Sequence, residues 1–109
     1  MTRSDEHRIG DILTAARELG LVVERGRTAF DTDPILRRAA ERLLEIIGEA
    51  ANLLGEETTG RHPEVPWQDI SRLRIVLAHH YHRVDPAQVW AIATTDVPAL
   101  VAALSTTYG

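Results

Sequence analysis

With 109 residues, 44% of them hydrophobic, the chain has material for one domain with a modest core, small enough that association of two copies would help bury it. It has no cysteine, which excludes disulfides and thiolate zinc sites, and its formal net charge of −4 argues against strong non-specific binding to nucleic acid, which is mostly phosphate neutralisation by cations. No run of 18 or more apolar residues occurs, and the charged residues 1–8 lead into an amphipathic segment and not a signal peptide, so a cytoplasmic protein with no membrane partner is expected.

The predicted elements are all helical. Ser4 or Asp5 can cap a first helix running to about Arg25, with Ile9, Ile12, Leu13, Ala16, Leu19, Val22 and Val23 recurring at three and four. Gly10 and Gly20 lower its propensity and are candidates for close helix contacts. Residues 26–32 read as a connector. Asp33-Pro34 supplies a cap followed by proline at the first helical position and starts a second helix to about Leu54. Its stripe includes Ile35, Leu36, Ala39, Leu43, Ile46, Ile47, Ala50 and Leu54. Its opposite face carries like-charge rows, Arg38 with Arg42 and Glu41 with Glu45, that compensate each other sideways and read as a solvated surface. Residues 55–64 read as a loop, and Pro66-Trp67 opens a third helix. Asp85-Pro86 repeats the cap-plus-proline signature and starts a fourth helix with Val89, Trp90, Ile92 and Ala93. Thr95-Asp96 before Pro98 suggests a second cap, so this helix is expected to break or restart there. No strand alternation and no repeat is found, and the expected fold is an all-α, four-helix up-and-down bundle over residues 1–109.

The chemistry concentrates in residues 71–85, S-R-L-R-I-V-L-A-H-H-Y-H-R-V-D, which hold three arginines, three histidines and a tyrosine. An apolar stripe of Ile70, Leu73 and Leu77 runs through it, so it belongs to a packed helix and not a basic tail. Residues seven apart on an ideal helix differ by about 20°, which aligns Arg72 with His79 and Arg74 with Tyr81. Imidazole, with an unperturbed pKa of roughly 6.5, gives and takes protons near neutrality, and guanidinium presents a charged planar fork to phosphate. One histidine and one arginine therefore suffice in principle to cleave RNA without a metal, the first on the ribose 2′-hydroxyl and the second on the charge building at phosphorus.

Other roles stand beside this one. His79, His80 and His82 offer a zinc site, but metal-binding pairs on a helix are usually four apart, whereas these stand at i, i+1 and i+3. His80 continues the apolar stripe and reads as a packing residue. His82 and Arg83 fall at the helix end, where the macrodipole favours cations. Trp67 and Trp90 read as core, and Tyr81 as a surface phenol.

The segment from Pro63 to Trp90 resembles the HepT family of HEPN-domain proteins, toxin halves of bacterial toxin–antitoxin pairs. That family carries R-x4-H-x-Y on its third helix, met here by Arg74, His79 and Tyr81. The surroundings are similar too. They include P-x-x-P-W at 63–67, Y-x-x-V-D at 81–85, Trp90, D-V-P-A-L at 96–100 and E-A-A at 49–51.

The resemblance implies a metal-independent endoribonuclease toxin that needs no cofactor. Arg74 would bind and polarise the phosphate, and His79 would transfer protons, in an RNA cleft between two copies of the chain in a homodimer. It also implies a neighbouring minimal nucleotidyltransferase as antitoxin, one that uses ATP to attach AMP to Tyr81. An anionic group there would occupy the phosphate site beside Arg74. Arg72, His82 and Arg83 are candidate phosphate ligands. Ile75 departs from the family pattern, which usually has a polar residue, often asparagine, directly after the motif arginine. Two other readings stay open: a catalytically weak module that binds nucleotide or RNA under the same partner, and a purely structural dimerising bundle. If His79 is the proton carrier, turnover varies across the pH range in which an imidazole titrates and needs no divalent metal.

Overall fold

The computed structural model describes residues 3–79 and 84–108. It contains the helices α1 (Arg3–Val23), α2 (Arg27–Thr32), α3 (Pro34–Asn52), α4 (Glu56–Gly60), α5 (Trp67–His79), α6 (Pro86–Ala91) and α7 (Val97–Tyr108), with no strand among the described residues. A π-helical turn, Ile92–Asp96, joins α6 to α7. The expected all-α bundle is thus observed, built on four long helical segments: α1, α3, α5 and the α6–α7 rod. The central helix is α3, which packs on α1 and on α5, while α7 returns onto α1.

Local chemistry explains the starts of two of these segments. Asp33 and Asp85 each accept a hydrogen bond from the backbone two residues on, Ile35 N and Ala87 N, both at 2.9 Å. In each case proline occupies the first helical position, where its missing N–H costs nothing. The α3 charge rows pair at i, i+3, Arg38 with Glu41 and Arg42 with Glu45, with the arginines exposed as expected and the glutamates partly buried.

Five expectations are corrected. Residues 27–32 and 56–60 form short helices where a connector and a loop were read. The turn into α2 uses Gly26 at φ 92°, a left-handed conformation that glycine adopts without strain, and Arg37 of α3 donates to the carbonyls of Phe30 and Asp31 at the other end of α2. Ile35 is 75% exposed rather than part of the α3 stripe, whose buried line is Ala40, Leu44, Ile47 and Ala51. Gly10 and Gly20 have open space around them, and the glycine at a close contact is Gly48. Ser4 and Asp5 lie inside α1 instead of capping it.

The interruption expected before Pro98 takes a specific form. The backbone remains helical throughout, and Val97 N–H bonds to Ile92 O, five residues back, instead of Asp96 opening a new cap. A proline ring clashes with the carbonyl four residues earlier in a regular helix, and one widened turn relieves that clash without ending the rod. The Thr94 hydroxyl donates to Trp90 O at 2.8 Å within the same turn. The rod Pro86–Thr106 is long and apolar enough by composition to cross a membrane, yet Val89, Ala93, Val97, Leu100 and Leu104 form a stripe buried in the bundle.

Candidate active site on α5

The position of α5 is set by one glycine. A Cβ built on Gly48 would lie 2.8 Å from both Arg74 N and Ile70 O and 3.2 Å from Leu73 Cβ, so the α5 backbone rests directly on α3 at this point. Ile70 and Leu77 are buried and Leu73 is packed against the core, which turns the inward face of α5 as the apolar stripe requires. The start of the helix is pinned separately. Trp67 Nε1 donates to Thr59 O at 3.1 Å and His62 O at 3.0 Å, fixing the indole against the 59–62 segment.

Directly opposite Gly48 stands Arg74. It is half-buried, and its Nε atom is out of contact with solvent and has no hydrogen-bond partner among the described residues. The guanidinium borders two grooves. One, of about 410 Å³, is lined by Asn52, Trp67, Gln68, Ser71 and Arg72. The other, of about 460 Å³, lies against α1 and α3 and mixes Arg8 and Arg42 with Asp11, Glu45 and Glu49. A buried guanidinium N–H without an acceptor costs free energy, and a phosphate oxygen is an acceptor of the right charge and geometry for it.

The other candidate residues sit on the outer side and the end of α5. Arg72 is exposed and, among the described residues, forms a loose pair with Asp69 at 3.9 Å, so it retains donors for an anion. His79 is exposed and is the last described residue of α5. Five residues on an ideal helix correspond to about 140°, so Arg74 and His79 point to different sides of α5, whereas Arg72 and His79 share one. Ile75 and Val76 lie beside them, 43% and 42% exposed. Tyr81, His82 and Arg83, together with His80, lie outside the described residues. Among those described, no three His, Asp or Glu side chains converge as a metal would require.

Sequence reasoning missed Gly48, Asn52 and Gln68 at this site and the buried polar cluster that supports it. A glycine in the middle of a long, otherwise helix-favouring segment was the available signal for Gly48. The polar cluster is built on Asp5, 4% exposed, whose carboxylate accepts from Thr58 Oγ1 at 2.7 Å and from Gly55 N at 3.2 Å. It ties α1 to the start of α4, and through the 59–62 segment to Trp67.

Known proteins resemble this arrangement in sequence. A family model described as "Ribonuclease HepT-like" matches residues 12–107. A protein of Thermococcus cleftensis named "Probable ribonuclease HepT" is 35% identical over 104 residues, 92% of each chain. A "Putative RNase" of Methanocaldococcus jannaschii is 33% identical over 91 residues, covering 83% of this chain and 84% of the relative. Another, of Caldanaerobacter subterraneus subsp. tengcongensis, is 41% identical over 71 residues, 65% of this chain. The chain spans 63% of the length of that relative and 57% of a second protein of Methanocaldococcus jannaschii. No solved structure matches the chain.

Proposed function

Because the chain belongs to the HepT-like ribonuclease family, we propose that it is an endoribonuclease in which Arg74 binds the scissile phosphate and His79 moves the proton. The observation that carries this reading is the Arg74 Nε, buried between two grooves with no partner among the described residues, on the helix that also carries His79. In the reaction, the His79 imidazole takes the proton of a ribose 2′-hydroxyl, whose oxygen attacks the adjacent phosphorus. The P–O5′ bond breaks, the departing 5′-oxygen gains a proton from solvent, and a 2′,3′-cyclic phosphate remains. Arg74 neutralises the charge that builds on the non-bridging oxygens, with Arg72 as a second cation at the exposed edge. No step calls on a metal.

The working cleft is formed by two copies of the chain. Arg74 and His79 diverge around their own helix, so a second α5 facing the first supplies the missing group to each phosphate. Ile75, Val76 and Leu53, exposed apolar residues at or near this face, are suited to such a contact. The cognate control is a minimal nucleotidyltransferase antitoxin that attaches AMP from ATP to Tyr81, placing an anion where the RNA phosphate binds. His82 and Arg83 extend the phosphate-binding surface, and the protein acts in the cytoplasm.

Incubation of the purified chain with single-stranded RNA, with and without a chelator, tests the core of this reading. Expected are fragments ending in 2′,3′-cyclic phosphate, undiminished by the chelator and lost in His79→Ala. Fragments with 5′-phosphate ends, or full activity of His79→Ala, would overturn it. Intact mass after co-expression with the nucleotidyltransferase tests the control: AMP gained by wild type and absent from Tyr81→Phe is expected. One observation favours a weaker module, namely Ile75, whose side chain brings no polar group to the groove it shares with Arg74. RNA binding without turnover would support that alternative.

A further inference from the structure

The groove on the Trp67 side of Arg74 has a composition the phosphate chemistry does not call for. Its lining combines an aromatic ring, two carboxamides and the hydroxyl residues Thr59 and Ser71 with Arg72 and Arg74. The indole of Trp67 is held in place because its only donor is spent on Thr59 O and His62 O. Asn52 and Gln68 are exposed at the rim, Ser71 is half-buried, and none of the three side chains is engaged in a hydrogen bond among the described residues. A carboxamide carries both a donor pair and an acceptor, so two of them can read the edge of a base. At about 410 Å³ the groove has room for one base.

Resting on the nuclease reading above, we infer that this groove is a base-recognition subsite for the nucleotide next to the cleaved phosphodiester. Unpaired RNA exposes its bases, and proteins read them by stacking on aromatic rings and by hydrogen bonds to the base edges. From Gln68 to Arg74 is six residues, about 9 Å along the helix axis, a separation that one nucleotide spans between base edge and phosphate. Arg74 and Arg72 hold the phosphate end, Trp67 forms the wall against which the ring lies, and Gln68 and Asn52 face the base edge. Adenine is the preferred occupant, because a carboxamide pairs with its N6 and N7 in a two-bond geometry, whereas guanine presents two acceptors on the same edge. Gln68 and Asn52 are therefore specificity-determining residues.

The test uses four short single-stranded RNAs that differ only in the base beside the cleaved bond, and four matching oligonucleotides made uncleavable by 2′-O-methylation at that bond. For wild type, the adenine RNA is expected to show kcat/KM about tenfold above the others, carried by KM, with the same order in binding of the uncleavable set. In Gln68→Ala and Asn52→Ala, both exposed and safe for folding, that preference is expected to flatten to within about twofold. A preference that survives in both variants, or a wild type indifferent to the base, would overturn the subsite. Base-selective binding that is lost in the variants while wild type cleaves nothing would keep the subsite and overturn the nuclease. Absence of both cleavage and binding would remove both.

Discussion

Asp5 and Arg74 are both charged residues drawn into the interior of the bundle, and their surroundings are opposite. The Asp5 carboxylate is enclosed, with the Thr58 hydroxyl and the Gly55 amide donating to it and Arg8 3.8 Å away. The Arg74 Nε is enclosed with no acceptor among the described residues. Burial costs a polar group its hydration in both places, but only at Asp5 does the protein itself supply the replacement bonds. A satisfied buried network fixes architecture, here the join of α1 to α4. An unsatisfied one is tolerated where a ligand completes it, and the sequence pattern that singled out Arg74 agrees.

Several substitutions would break or sharpen this contrast. The largest effect is expected from His79→Ala, which should lower RNA cleavage by about 10²–10⁴-fold while leaving thermal stability within about 0.5 kcal/mol, since the side chain is exposed. Arg74→Met should lower cleavage by about 10²–10³-fold, yet its Tm should hold or rise, because the change removes an unpaired buried donor and keeps the packing of the alkyl stem. A Tm loss matching that of an Asp5 variant would mean that Arg74 is structural, and the contrast would collapse.

Asp5→Ala should do the reverse, costing about 1–3 kcal/mol by stranding the Thr58 and Gly55 donors. Each kcal/mol corresponds to about 4–8 °C in Tm for a chain near this size, readable by calorimetry. Its kcat against RNA should stay near that of wild type at temperatures where it is folded. Gly48→Ala touches both regions: its new methyl group meets backbone atoms of α5, which cannot rotate away, so α5 must move off α3. A loss of about 1–3 kcal/mol is expected together with weaker RNA binding, because Arg74 N is one of the atoms displaced. Smallest of all is Arg42→Ala, which removes an exposed i, i+3 pair with Glu45 and should change stability by less than about 1 kcal/mol.

How far the fold was legible follows from the range of the interactions involved. The two Asp-Pro starts were readable because the cap, the proline and the amide it serves lie within three residues. The side on which α5 packs was readable from Ile70 and Leu77, since helical periodicity is local. Ile35 was misread because apolar character alone does not say whether a neighbouring helix reaches the end of α3. Asp5 was misread as the cap of its own helix because its partners, Gly55 and Thr58, stand 50 and 53 residues away. At the site, the motif residues were legible and the grooves were not, because Asn52 and Gln68 belong to different helices brought together by the contact at Gly48.

The sequence by itself therefore determined the helical class, the two main capped starts and the apolar stripe of α5. Each rests on neighbours within about four positions, where backbone geometry fixes what a side chain can touch. The tertiary structure alone decided that Gly48 is the point of contact between α3 and α5, that Asp5 holds α4, and that the Arg74 Nε, beside a groove with two carboxamides, has no partner among the described residues. Whether a buried donor is satisfied depends on every acceptor the fold brings near it, and those acceptors come from distant parts of the chain.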